Sequence, residues 1–529
     1  MGSTGQQLIQ LARGSSYRGG TGKFNQSYER VGLSIRSSVL KGAMKLSTGQ
    51  VTSQACSFIR SVIVARLISP ENYGIAAVFM TTFVLMEQIS NLAADKLLIQ
   101  AKDGDEPAFQ RSAQLVMMGR GFSNATVLFV FGGLFSHLFG SPQAVWAFRA
   151  MALLPLCRAF THLDMSRYQR HLRFGPAVLV DVSSNLLGVV AALPLALLLR
   201  NYWAMLWILA VQQGCTTLGS HLVAERRWAV AWNRQYARRM FHFGWPLLIN
   251  GLLLYGIMEG DRVVIGSAQR LFHHSVYTLT DLGVYSVAFG ASYAPATLIV
   301  NVTGTLFLPI LSRAKESWAE FQRSYLRCLN PATLLAAMAA IPFIVGGGWA
   351  ITLVYGHKYA AAGSFIGWLG AMWGVRIIRA VPTAAALAQG DSKTSMVSNF
   401  VRSAALLGML LAAATGAPLV WISISGFCGE SLALGVTLWR LKRLHAVPIG
   451  LCIRPFAVIA LGMLAAALAA LARIGNMGWT GPVLGSVAVA LATLLAMMFV
   501  IPELRLDLFS LTSSAMRPVG TNVAVPPQA

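Results

Sequence analysis

Four arginines, Arg60, Arg262, Arg376 and Arg379, stand inside long apolar runs of this chain. Arg120, Arg402, Asp181, Glu259, Asp261 and Glu430 share such surroundings. An ionisable side chain in hydrocarbon costs about 2.5–3.5 kcal/mol on insertion scales, so these groups must face a polar cavity or a partner. All the deep basic residues are Arg rather than Lys, and a guanidinium fork matches phosphate oxygens in geometry and charge. The chemistry this set suits is the holding of a phosphate-bearing anion within an apolar medium. The alternative is pairing, with the arginines neutralising Asp181, Glu259, Asp261 and Glu430, or snorkelling to an interface. Arg376 and Arg379 are three apart and share one helical face. They and Arg60 have no carboxylate near in sequence and are expected in a cavity. Glu259 precedes Arg262 by three residues and is expected as its partner, ion coupling being its other role. Asp261 is open between structural pair and cavity group. Arg120 and Arg402 lie closer to predicted span ends, where snorkelling is expected.

The elements that carry these residues have to be membrane spans. Hydrophobic residues make up 55% of the 529 and charged residues 12%, and the mean hydropathy is +0.59. A soluble chain carries roughly 25% charge, and about 20 apolar residues cross the hydrocarbon. Apolar segments of that length follow one another from residue 46 to 503. The net charge of +23 sits in short loops rather than on one soluble face, which argues against nucleic acid as a partner. Cys56, Cys157, Cys215, Cys328, Cys428 and Cys452 are scattered, with no CxxC and no Cys/His cluster, so no metal is expected. The segment Gly19-Gly20-Thr21-Gly22-Lys23-Phe24 lacks the spacing and hydroxyl of a phosphate loop. No cofactor and no nucleotide-driven engine are therefore expected. Residues 1–30 are polar and lack the apolar core of a signal peptide, whereas 31–46 reads as a basic amphipathic helix on a membrane surface or as an unstructured tail.

Reading apolar windows against breaks predicts an all-α polytopic protein of about fourteen spans. They fall near 46–67, 73–98, 110–138, 145–164, 176–199, 202–224, 243–267, 282–311, 329–354, 360–388, 394–414, 418–439, 453–472 and 480–502. The first and fourth are the most polar. Basic residues collect in alternate loops: Arg167, Arg170 and Arg173; Arg226, Arg227, Arg234, Arg238 and Arg239; Arg313 to Arg327; and Arg440 to Arg443. That alternation places both termini in the cytoplasm. The expected organisation is a basic tail (1–45), a six-span bundle (46–226), a basic linker (227–242), a second six-span bundle (243–440), two further helices (441–503) and a C-terminal tail (504–529).

An internal echo supports two halves. Arg60 precedes a Val/Ile run and a span opening Tyr73-Gly74; Arg262 precedes another and a span opening Gly283-Val284-Tyr285. The stretch Ala65-Arg66-Leu67-Ile68-Ser69-Pro70-Glu71-Asn72-Tyr73-Gly74 resembles the first outer loop of the Wzx-like polysaccharide-transport flippases, within the multidrug/oligosaccharidyl-lipid/polysaccharide exporter superfamily. Asp261 to Gly266, Leu282 to Ala288, Leu308 to Arg313 and Ala388 to Lys393 resemble later elements of that family in matching order. The resemblance implies two six-helix bundles around a central cavity, with two helices outside. It also implies transport of an undecaprenyl-diphosphate-linked oligosaccharide across the bacterial inner membrane for exopolysaccharide, capsule or O-antigen synthesis. A polysaccharide polymerase and a chain-length regulator are its implied partners. Two rivals are weaker. A membrane polymerase or ligase would have only the thin loop with His273, His274 and Asp281 for catalysis. A drug or cation antiporter would favour deep carboxylates over an arginine excess.

Overall fold

The computed structural model describes residues 45–472, apart from 273 and 449, and residues 480–501. The expected amphipathic segment (31–46, bar its last two residues) and the tail at 504–529 lie outside the described residues. All regular structure within them is helical. The first group comprises α1 (45–67), α2 (Pro70–Ile89), α3 (Ala94–Gln100), α4 (Pro107–Leu138), α5 (Val145–Ala150), α6 (Leu153–Ala159), α7 (Asp164–Arg170), α8 (Gly175–Leu199) and α9 (Trp203–Leu222). The second comprises α10 (Arg234–Leu271), α11 (Leu279–Ala314), α12 (Trp318–Tyr355), α13 (Ile366–Ala388), α14 (Ser392–Arg402), α15 (Ala405–Ala414) and α16 (Val420–His445), followed by α17 (Gly450–Leu471) and α18 (Thr480–Val500).

Local sequence sets the helix ends. Ser69 Oγ accepts the Asn72 N–H at 3.2 Å and Pro70 fills the first turn of α2, where its missing N–H costs nothing. Thr278 and Asp281 cap α11 reciprocally. Gly356 and Gly390 follow α12 and α13 with φ of 101° and 81°, a backbone region that favours glycine. Asn233 caps α10, so Arg234 to His242, expected within a linker, are already helical.

Nine helices among the described residues are long and apolar enough to cross a membrane, or up to twelve if each of three bent pairs is one span. Bends of 49° and 60° break segments expected to be continuous, α2 to α3 and the 3₁₀ turn His357–Ser364 to α13, and one of 51° joins the helices of 142–159 to α7, which lies in an expected loop. The first has a local cause, since Ala93 takes a left-handed conformation. The expected count of fourteen is not reached on that measure. The first and sixth expected positions hold α1 and α9, both helical, but each carries the polar residues described below.

The helices are apolar outward. Leu198, Leu471 and Phe499 are 80%, 78% and 89% exposed, whereas Arg379, Arg402 and Glu430 are buried. That inversion is what a hydrocarbon solvent selects. α12 packs against α11, α13, α17 and α18, and α13 against α16. The two groups meet chiefly where α2 packs against α10 and α11. Near the first turns of α2 and α11, the glycines of the internal echo face each other. A Cβ at Gly74 would overlap the Leu279 carbonyl, and one at Gly283 the Pro70 carbonyl.

Candidate functional site

The second group assembles its ionisable residues around Glu430, which is fully buried on α16. Arg376 Nη1 lies 3.1 Å from Glu430 Oε1, Arg379 Nε 3.1 Å from Oε2, and Arg402 Nε 2.6 Å from Oε1. Three guanidinium groups on α13 and α14 thus share one carboxylate. Arg376 and Arg379 have no carboxylate near in sequence, but the packing of α16 on α13 brings in the distant Glu430, the pairing alternative. Arg402, expected to snorkel, is buried in this hub instead.

The two arginines of α13 differ in what they have left to offer. Arg379 also donates from Nη1 to Ser398 Oγ at 3.0 Å and Asn399 Oδ1 at 3.3 Å, and its side chain is 8% exposed. Arg376 is 23% exposed, and its Nη2 touches only the Met258 sulfur, at 3.8 Å. Its guanidinium rests over the Trp373 ring, 5.2 Å from the centroid.

Arg262 lies beside it. Its Nη1 meets Glu259 Oε2 at 2.8 Å, its Nη2 reaches the Met258 carbonyl at 3.4 Å, and its guanidinium lies 4.5 Å over Phe289. Phe289 and Trp373 pack edge to face at 5.6 Å. Arg262 and Arg376 therefore flank Met258, each backed by one ring of an aromatic pair. Asp261 accepts the Arg262 N–H at 2.8 Å and the Tyr285 hydroxyl at 2.8 Å. Thr81 Oγ1 of the first group donates to Glu259 Oε2 at 3.2 Å.

Arg60 uses neutral partners. Its Nη1 donates to Gln212 Oε1 on α9; Gln212 Nε2 donates to Asn185 Oδ1 at 3.0 Å; Asn185 Nδ2 donates to Asp181 Oδ1 at 3.3 Å. Ser53 Oγ, about two helical turns before Arg60 on the same face of α1, closes the chain on Asp181 Oδ2 at 2.5 Å. Asp181 is therefore remote from the hub and tied to the first group. Arg60 and Arg262, from opposite groups, both lie within electrostatic reach of Tyr73. Arg120, also expected to snorkel, instead meets Glu87 Oε2 at 2.5 Å, and Arg158 reaches the same oxygen at 3.1 Å.

Sequence reasoning missed Glu87, Gln212, Asn185 and Tyr285. The adjacent Gln212 and Gln213 in an apolar window were the one local sign of a polar inner face. No group of three or more His, Cys, Asp or Glu residues poised for a metal occurs among the described residues.

The sequence profile of a family described as polysaccharide biosynthesis protein matches residues 63–363. The chain is 22% identical over 372 residues to the succinoglycan biosynthesis transport protein ExoT of Rhizobium meliloti (strain 1021), covering 65% of this chain and 72% of that protein. Its fold is similar to the lipid II flippase MurJ in an inward closed conformation, with a TM-score of 0.65, 14% identity and coverage of 84% of this chain and 97% of MurJ. It is also similar to an inward-facing multidrug resistance MATE transporter, at a TM-score of 0.58 and 12% identity, over 77% of this chain and 98% of the other. With apolar helices around a buried arginine cluster and with transporters as its relatives, the chain belongs to the polysaccharide biosynthesis protein family and is a multispan membrane transporter rather than an enzyme.

Proposed function

We propose that this transporter carries a polyprenyl-diphosphate-linked oligosaccharide across the bacterial inner membrane by alternating access, for the synthesis of an exopolysaccharide, capsule or O-antigen. The observation that carries the reading is the pairing of Arg262 and Arg376 at Met258. Four arginines of the second group share three carboxylates, so positive charge is left over. Arg376 holds that excess most openly. A diphosphate brings negative charge to such a place, and a guanidinium with free N–H groups answers it directionally. Arg60 presents a further cation from the first group. Arg379 acts here through Glu430, holding the hub in place. An apolar pocket of about 440 Å³ lies where α1, α11 and α12 meet, lined by Phe58, Pro295, Leu298, Phe343, Ile351 and Val354 among others. Its character fits an isoprenoid chain held in the bilayer while the diphosphate and sugar pass between the groups.

Both termini lie in the cytoplasm on this reading, and a polymerase and a chain-length regulator receive the product outside. The membrane potential, worth about 2.3 kcal/mol per charge per 100 mV, supplies the drive for a charged substrate. The test is mass spectrometry of lipid co-purified with the protein and with an Arg376→Ala variant. A polyprenyl-diphosphate sugar enriched on the first and depleted on the second supports the reading. Enrichment of phospholipid alone ends it.

A further inference from the structure

At the end where α1 stops and α2 begins, each group caps a helix of the other. Arg66 leaves α1 and donates from Nε to the Val354 carbonyl at 2.7 Å, and from Nη2 to the Leu353 carbonyl. Those are last-turn carbonyls of α12. In return, Lys358 Nζ, two residues past Gly356, donates to the Arg66 carbonyl at 2.9 Å and the Ile68 carbonyl at 2.5 Å. Tyr359 donates its hydroxyl to the Ala65 carbonyl at 3.2 Å. The last carbonyls of a helix have no partner within it and carry its partial negative charge. Here each set receives a cation from the opposite group. Tyr73 and Tyr359 pack edge to face at 6.3 Å, and Phe58 and Tyr355 at 6.2 Å, alongside these bonds. The nearby approach of Gly74 to Gly283 leaves no room for a side chain between α2 and α11.

We propose that this reciprocal capping is a latch that holds the two groups together at one mouth of the transporter, and that it must part in each cycle. The inference rests on the alternating-access reading for its role, but not on any choice of substrate. The latch lies at the end opposite the arginine-rich loops, which makes it the outer mouth. Because its acceptors are main-chain carbonyls and not carboxylates, it differs from an ion-pair gate. Either cation can be lost by substitution, whereas the acceptors cannot.

The test is a distance measurement between spin labels on cysteines at Glu71 and Thr280, exposed residues at corresponding places in the first turns of α2 and α11. The six native cysteines are replaced, and the full chain is held in nanodiscs without substrate. The latched protein is expected to give one short distance. Arg66→Gln with Lys358→Gln is expected to raise a longer-distance population about tenfold or more, the size that follows from losing hydrogen bonds to charged donors. Lys358→Gln alone, which leaves the Arg66 bonds in place, is expected to give a smaller rise and serves where the double variant does not fold. A distribution unchanged in a folded variant overturns the latch. So does restoration of the short distance by pairing Lys358→Gln with Arg66→Glu, which no carbonyl cap allows. Failure to find a lipid-linked sugar on the protein would refute the substrate and leave this measurement standing.

Discussion

At the scale of single residues, the arginines divide into those that build the wall and those that present charge from it. Glu430 is the dividing group. Glu430→Gln removes the counter-charge of three guanidinium groups at once, and breaking a buried pair from one side costs about 3–5 kcal/mol. Its membrane abundance should fall, and Arg379→Ala should behave likewise because a deeply enclosed arginine of the hub is lost and Glu430, Ser398 and Asn399 each lose one donor. Arg376→Ala should differ. Glu430 keeps Arg379 and Arg402, so abundance should hold while polymer export drops, a charge-assisted contact being worth roughly 1.5–3 kcal/mol. Arg376→Lys should rescue only in part, since it restores the charge without the fork. Quantitative blotting of membranes beside an assay of exported polymer separates the two classes. Normal export from both Arg60→Ala and Arg376→Ala would remove the proposed site. These roles were only partly legible in the sequence. The Glu259–Arg262 pair follows from a three-residue spacing. The Glu430 hub does not, because its members lie on three helices whose apposition no local pattern encodes. Arg60 was legible as an arginine without a carboxylate, but its amide partners needed the packing of α8 and α9.

At the scale of elements, the apolar spacing identified nearly every helix, and capping residues placed their ends. It failed where one span is two helices at an angle, because a window of hydropathy does not register a backbone bend. It placed α1 and α9 correctly even though Arg60 and Gln212, members of the polar chain that runs on to Asp181 of α8, dilute their apolar signal. The turn between α13 and α14 is a case where local chemistry makes a prediction. Asp391 accepts the Thr394 N–H at 3.0 Å and the Thr394 hydroxyl at 2.5 Å, and pairs with His445 Nε2 at 3.2 Å. Burial opposes its charge, but the Thr394 and His445 hydrogen bonds and nearby Arg440 outweigh that and hold the carboxyl below its ordinary range. A depressed folded-state value stabilises the fold above the unfolded value, near 3.9, and that contribution fades as pH falls through the folded one. Thermal unfolding in detergent should therefore drop toward low pH more steeply for the parent protein than for Asp391→Asn. At neutral pH the variant should be the less stable of the two. Parallel pH curves for the two would remove Asp391 as the cause.

At the scale of the whole molecule, the expected topology and energy source are open to direct test. A cysteine at Glu71, in a background without native thiols, should react with an impermeant thiol reagent in intact cells, and cysteines at Arg234 and Arg443 should not. Reversed labelling would invert the orientation. The purified chain in liposomes should transport without ATP and respond to an imposed potential; strict ATP dependence would exclude that source. The two helices at the end of the chain carry a further consequence. α17 and α18 lie against α12, with Gly346 close to Pro482, and Gly374 of α13 close to Met463. They screen one flank of α12 from the bilayer, while its other flank borders the apolar pocket shared with α1 and α11. On the proposed function, an isoprenoid chain entering this pocket does so on the flank of α12 that α17 and α18 leave uncovered, and proteins that hand over or collect the cargo are expected on that side.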